Sequence, residues 1–211
     1  MTPLEQSRCN LAQTVIKGLE RRNMTGEYCA TRDDAKAAIA RFLIPGTSVA
    51  AGGSATLGEL GFAEAAKAAG CNFLDRFAAA TPEEQREIFK EILFCDTYFM
   101  STNAITQDGV LVNIDGNCNR ISALAFGPEK VVVVAGMNKV APDLDSAVKR
   151  ARNEAAPPNC IRLGLDTPCT KLGKCADCSS PDCICCQFLI TRRSRVKGRI
   201  HVILVGQDLG F

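Results

Sequence analysis

The 211-residue sequence predicts an α/β domain built on a mostly parallel sheet with flanking helices. Three observations predict it. Strand-like and helix-like segments alternate over roughly 150 residues, the pattern of βαβ units. The run KVVVVAG at 130–136 is apolar without alternation, as in a strand buried on both faces. Apolar residues make up 46% of the chain, so a sizeable core is available.

The elements follow in order. Residues 4–22 read as a helix, with Leu4, Leu11, Val15, Ile16 and Leu19 largely on one face. This N-terminal helix (1–23) precedes the α/β domain proper at 24–211. After a short extended piece, EYCA, Thr31 caps a helix whose Asp34 completes a carboxylate variant of the capping box. That helix carries Ala38, Ile39, Phe42 and Leu43 and stops before Pro45-Gly46. SVAA at 48–51 is a short buried strand, followed by a glycine-rich turn and a helix to about Ala69. CNFLD at 71–75 is the next strand. Thr81-Pro82-Glu83-Glu84 combines a Thr cap, Pro at the first helical position and Glu at the third. Phe89, Ile92 and Leu93 face inward from that helix. TYFMS and VLVN are strands, and Asp108-Gly109 is a hairpin turn that joins AIT to VLVN. A short helix follows within IDGNCNRISALAFG. Residues 142–155 are helical, and FLITR and RIHVILV close the chain as strands.

Charge narrows the function. The net charge is +2, from 25 basic and 23 acidic residues, and no basic stripe interleaves with aromatics. Nucleic acid is therefore not an expected partner. Arg192, Arg193, Arg195 and Lys197 read as a solvated turn between two strands. The N-terminal residues show no secretory apolar region, and no apolar run reaches membrane-spanning length, which places the protein in the cytoplasm without membrane insertion. The single histidine, His201, lies inside RIHVILV, where packing is expected rather than catalysis.

Sulfur is where the chain concentrates its chemistry. Six of its twelve cysteines fall within eighteen positions: Cys169, Cys175, Cys178, Cys183, Cys185 and Cys186. In a reducing compartment such density reads as metal or redox chemistry before disulfides. Four-thiolate coordination is the leading reading, and spacing alone does not separate zinc from iron–sulfur. A redox dithiol at Cys175 and Cys178 is the alternative, without a thioredoxin-like strand–motif–helix context. The segment is an insertion at 166–187, too poor in apolar residues to form its own core. The other six cysteines read mostly as small buried hydrophobes.

Two further constellations stand out. Gly52-Gly53-Ser54-Ala55-Thr56 ends a strand and opens a helix, where glycines admit a ligand close to free N–H groups and two hydroxyls add donors. No lysine follows, so this is not a Walker A loop. A dinucleotide fingerprint, Gly53-x-Ala55-x-x-Gly58 with Asp75 on the next strand, lacks its middle glycine. The segment STNAITQDGVLVNIDGNCNR gathers Asn103, Thr106, Asp108, Asn113, Asp115, Asn117, Asn119 and Arg120 between apolar strands. Turn chemistry accounts for about half of them. The rest would line a polar pocket in which Arg120 clamps a carboxylate bidentately and Asp115 serves as a base.

The stretches GGSATLGELG, STNAITQDGVLVNIDGNCNRISALAFGPEKVVVVAGMNKV, TPCTKLGKCADCSSPDCICC and ITRRSRVKGRIHVILVGQDLGF together resemble the LUD-domain (lactate-utilisation) family, in particular a cysteine-rich uncharacterised subgroup. The resemblance implies a fold similar to the ribose-5-phosphate isomerase, glucosamine-6-phosphate deaminase and CoA-transferase superfamily. It implies that Gly52, Gly53, Ser54 and Thr56 contact an anionic metabolite, with Asn103, Asp115, Asn117, Arg120, Asn138 and Lys139 around the same pocket. It makes Cys169, Cys175, Cys178 and Cys185 the ligand quartet, with Cys183 as alternative, for a 4Fe–4S cluster or else zinc. Cys118 stands where the subgroup has glycine, which raises the prospect that it reaches the pocket. The implied role is to act in, or regulate, oxidation of lactate or a related 2-hydroxy acid with iron–sulfur oxidoreductase subunits, as a homodimer. The alternatives are a non-catalytic ligand-binding or regulatory subunit, and an isomerase or CoA-transferase-like enzyme using Asp115 or Glu59.

Overall fold

A computed structural model describes residues 1–211. Six parallel strands form the main sheet: β1 (Thr25–Cys29), β2 (Ser48–Ala51), β3 (Asn72–Leu74), β4 (Thr97–Met100), β7 (Lys130–Gly136) and β10 (Ile200–Val205). Their order is β1-β10-β7-β4-β2-β3. The mostly parallel α/β architecture is as the sequence predicts.

Strand side chains alternate between two apolar layers, because successive residues point to opposite faces. Val131, Val133, Val202 and Leu204 pack on one side, against Ala12, Val15 and Leu19 of α1 (Pro3–Arg21), Ile92 of α5 (Pro82–Leu93), and Ala123 and Leu124 of α6 (Asn119–Ala125). Val132, Val134, Ile203 and Val205 pack on the other. Their partners there are Ala35, Ala38 and Ile39 of α2 (Arg32–Ala40), Leu57 of α3 (Ala55–Glu59), and Phe62 and Ala66 of α4 (Phe62–Ala68). The α1 helix thus shares the main core. The capping signals read in the sequence are made: Thr31 and Asp34 form a reciprocal box, and the Thr81 side chain accepts from the Glu84 N–H.

Three features differ from the sequence reading. The helix expected to run to Ala69 breaks at Gly61, which caps α4 in the left-handed region at φ 66°. Only glycine enters that region at no steric cost. A second, four-stranded sheet was not foreseen. It runs β8-β5-β6-β9, from β5 (Ala104–Thr106), β6 (Leu111–Asp115), β8 (Val140–Ala141) and β9 (Gln187–Thr191). Its hairpin turns at Asp108-Gly109 as expected, and β9 returns antiparallel to β6. Ala104, Val112, Ile114, Ala141, Ala147 and Ala151 make its small core.

The third difference matters most for the site. The helix expected to end at 155 continues. From α7 (Leu144–Arg150) it passes through a π turn (Ala151–Ala155) into α8 (Ala156–Arg162). Pro157 and Pro158 have no N–H to donate, which is why the sequence reads as a stop. The wider π turn absorbs the shift, with the Ala156 N–H donating to the Ala151 carbonyl. The extension delivers Asn159, Cys160 and Arg162 to the site. The cysteine segment then carries a short helix, α9 (Pro168–Leu172), before joining β9.

Candidate functional site

A polar cavity of about 550 Å³ opens beyond the carboxyl ends of β2 and β4, where open α/β sheets place their ligands. Gly53, Ser54, Thr56, Asn103, Asp115, Asn117, Arg120 and Lys139 all line it, which brings the glycine turn and the polar segment together, whereas Gly52 does not line it. The glycines are there for close approach. A Cβ on Gly52 would lie 2.8 Å from the Tyr98 hydroxyl and 3.0 Å from Arg120 Cγ, and one on Gly53 would lie 2.6 Å from Arg76 Nη2. Ser54 caps α3, its hydroxyl accepting from the Leu57 N–H at 3.2 Å.

Arg120 has a different task from the one read in the sequence. Nη1 donates to the Ser101 carbonyl at 3.1 Å and to Asn113 Oδ1 at 2.5 Å. Nη2 donates to Asn103 Oδ1 at 3.1 Å and to the Ile114 carbonyl at 2.6 Å. Nε lies 3.4 Å from Asp115 Oδ2. Each of the five guanidinium donors therefore faces a protein oxygen, and none is left to clamp a carboxylate. The arginine is a pillar that fixes the polar segment. Asp115 is held by it and by the Ile121 N–H at 3.3 Å.

Other residues fall elsewhere. Asn138 does not line the cavity; its side chain accepts from the Leu209 N–H at 3.2 Å and donates to the Gly210 carbonyl. Glu59 turns the same way, accepting from the Gly210 N–H at 3.0 Å and pairing with Arg32 at 3.2 Å. Both secure the segment that brings Phe211 to the cavity wall. Cys118 does not line it either. It caps α6 at φ 61°, which accounts physically for a preference for glycine there. Cys118→Gly is expected to raise stability by about 0.5–1 kcal/mol, the relief of a left-handed residue less the added chain entropy. Thermal unfolding measures it. His201, on β10, packs beside the edge strand β1, bonded to Thr25 and Glu27, as expected.

The sequence reading missed Ser101, Arg76 and Arg162. Arg76 stacks on Phe77 at 4.6 Å, and Arg162 is held by Asn159 Oδ1 at 2.8 Å. Neither faces a carboxylate in an ion pair. Lys139 is the deepest charge, 3% exposed, its Nζ donating to Thr56 Oγ1 at 2.9 Å and Ser101 Oγ at 3.0 Å. Burial, reinforced by the nearby Arg150 and Arg120 guanidiniums, brings its amine down to about 7. With Arg120 neutralised by Asp115, the side chains of Arg76, Lys139 and Arg162 outnumber that of Asp182 in the lining. The lining suits an anion.

The cysteine segment forms the opposite wall. Gly116 packs 3.2 Å from Ile184 Cα, measured from the place a Cβ would take. Behind that wall lies a smaller, mainly apolar cavity of about 60 Å³. Cys169, Cys175, Cys178, Cys183 and Cys185 line it, joined by Cys160 from α8. All twelve cysteines are free thiols. Arg152, in the π turn, donates to Cys175 Sγ at 3.3 Å and pairs with Asp177. Thr167 Oγ1 and Cys169 Sγ are hydrogen-bonded at 3.1 Å. Desolvation pushes the Cys185 thiol up to about 12 and Cys160 up to about 11. A cation bound there would have to displace these protons. No three His, Cys, Asp or Glu side chains converge tightly enough to hold a single ion. Six thiols line the cavity, with Thr167 and Asp177 beside them. Thiolates are ligands for zinc and for iron–sulfur clusters alike, so the donor chemistry suits either.

Fold and cavities together define an α/β domain with an anion-suited pocket at the carboxyl edge of a parallel sheet, walled on one side by thiols. The chain belongs to the LUD domain family, whose model matches residues 12–205, and the family is linked to lactate utilisation. Among solved structures, a DUF162 family protein from Deinococcus radiodurans is similar in fold. It is 14% identical, with a TM-score of 0.52 over 94% of this chain and 98% of its own. The eIF2B beta and delta subunits from Chaetomium thermophilum are more distant. Beta is 21% identical over 54% of this chain and 44% of its own, with a TM-score of 0.36. Delta is 17% identical over 70% and 57%, with a TM-score of 0.36. No curated protein matches. No helix is long and apolar enough to cross a membrane.

Proposed function

We propose that this protein binds a small 2-hydroxy or 2-oxo carboxylate in the 550 Å³ pocket and acts in, or regulates, oxidation of lactate or a related 2-hydroxy acid with partner iron–sulfur subunits. One observation carries the reading: Cys183 and Ile184 line both the anion-suited pocket and the thiol cavity, so the two share a wall. Cys169, Cys175, Cys178 and Cys185 would hold a 4Fe–4S cluster, with Cys183 and Cys160 adjacent. Such a cluster supplies one-electron transfer. The chain's own residues do the rest. Arg76 and Arg162 draw the carboxylate to the rim. Ser54 and Asn117 offer donors inside. Arg120 keeps Asn103 and Asp115 in register.

A second reading, a non-catalytic ligand-binding subunit, draws on a separate observation. Glu59 is turned away from the pocket and Asp115 is tied to Arg120, so neither carboxylate named as a candidate base is free to act as one. The same observation weighs against an isomerase or CoA-transferase-like enzyme.

Protein purified without oxygen should contain iron and acid-labile sulfide and bind lactate or pyruvate in calorimetry. Cys185→Ser should lose the iron, while carboxylate binding persists. Zinc as the sole metal would leave only a structural site beside the pocket. Absence of iron, sulfide and zinc would remove the centre from the reading altogether.

A further inference from the structure

The floor of the pocket carries an amine with no carboxylate partner. Lys139 reaches it from a 3₁₀ turn (Met137–Lys139) that follows β7. Its Nζ is flanked by two hydroxyls, Thr56 Oγ1 at 2.9 Å and Ser101 Oγ at 3.0 Å, both from pocket-lining residues. Glu59, the nearest acidic influence, is occupied by Arg32 and the Gly210 N–H. Arg150 and Arg120 press on it with like charge. A buried ammonium without a counter-ion is costly, whereas the neutral amine is not. Desolvation beside another cation is one of the ways a lysine becomes a nucleophile toward carbonyl carbon. A point charge for anion binding would not need to be dry, held by hydroxyls and kept from carboxylates.

We propose that Lys139 forms a reversible Schiff base with the carbonyl carbon of a small 2-oxo acid bound in this pocket. The inference rests on the small-carboxylate reading above and adds the reacting group. The Nζ lone pair adds to the carbonyl carbon, and the carbonyl π pair moves to oxygen, which takes a proton through the Ser101 or Thr56 hydroxyl. Nitrogen gives up its two protons in turn, one to balance the proton taken by the alkoxide and one to the departing hydroxyl, which leaves as water as the C=N bond forms. No electrons are gained or lost; amine and ketone become imine and water, and hydrolysis reverses it. At neutral pH a large fraction of an amine brought to about 7 is unprotonated and ready to add. A 2-hydroxy acid has no carbonyl at that carbon and cannot react, so the device tells the oxidised form of a substrate pair from the reduced one.

The test uses the full chain with pyruvate and borohydride, read by peptide mass spectrometry. The expected result is a mass increase equal to pyruvic acid less one oxygen atom, on the peptide containing Lys139. It should be absent when lactate replaces pyruvate and absent in Lys139→Arg. Mapping the label in the unaltered protein locates it even if that variant fails to fold. Calorimetric binding of pyruvate with no label, or label spread over other lysines, overturns the Schiff base and leaves the carboxylate reading standing. No label and no binding of either acid overturns both.

Discussion

Arg120→Ala is expected to cost about 3–5 kcal/mol of folding stability, the range for removing one member of a buried ion pair. Against a total of roughly 5–15 kcal/mol for a domain, that approaches unfolding. The side chains of Arg120 and Asp115 are only 12% and 10% exposed. The Ser101 and Ile114 carbonyls, Asn103 Oδ1 and Asn113 Oδ1 all take hydrogen bonds from the one guanidinium. Deleting it strands four acceptors and a carboxylate together. Arg120→Lys keeps the charge but cannot span a planar fork of five donors, so it should recover only part of the loss. Arg76→Ala is the control. Arg76 has no protein carboxylate to lose, and its removal should stay within about 0.5 kcal/mol while weakening carboxylate binding. Urea unfolding with calorimetry separates the two. If Arg120→Ala unfolds at the normal urea concentration and merely loses ligand, the arginine is a binding group and not a pillar.

The fold was largely legible because its signals are local. The continuous apolar run of β7, the Thr31 and Thr81 caps and the Asp108-Gly109 turn each state their own structure. The second sheet was not legible, since β5 has three residues and β8 two, too few for a period to show. For the site, residue type was readable and residue role was not. An arginine among asparagines signals a polar cluster, but whether its donors face a ligand or the protein depends on which carbonyls the fold turns toward it. The family resemblance placed Asn138 around the pocket and Glu59 was named as a candidate base, whereas their partners lie at Leu209 and Gly210, some seventy and a hundred and fifty residues away. Cys160 was set apart from the other thiols because it lies outside the cysteine-dense segment and reads as a small buried hydrophobe. Only the π turn reveals that the helix carries it to them. Asn113 Nδ2 is buried without a partner, and nothing in the structure accounts for it.

Lys139→Met should make the protein more stable at pH 6, with the advantage shrinking as pH rises. Folded, the amine sits at about 7 against an ordinary 10.5, so between those values the unfolded chain binds the extra proton. Stability of the unaltered protein from this group therefore climbs with pH, by roughly 1.4 kcal/mol per unit at most, and levels off near the upper value. Below about 7 both states carry the proton and the full cost of burying an ammonium remains. Methionine fills the same space without that cost. Other groups pull the opposite way at high pH. Burial raises the Cys29 thiol to about 11 and Cys95 to about 12, so their stabilisation fades as pH climbs past their unfolded values near 9. The informative quantity is therefore the difference between variant and parent, in which the thiols cancel. The guanidiniums that face Lys139, those of Arg150 and Arg120, keep their charge across pH 6–9 and cancel as well. Urea unfolding of both proteins at pH 6, 7.5 and 9 reads the slope. A gap that stays constant over that window means that the amine is not titrating near neutrality. A gap that closes shows an amine that burial keeps largely unprotonated at neutral pH, at a cost to stability.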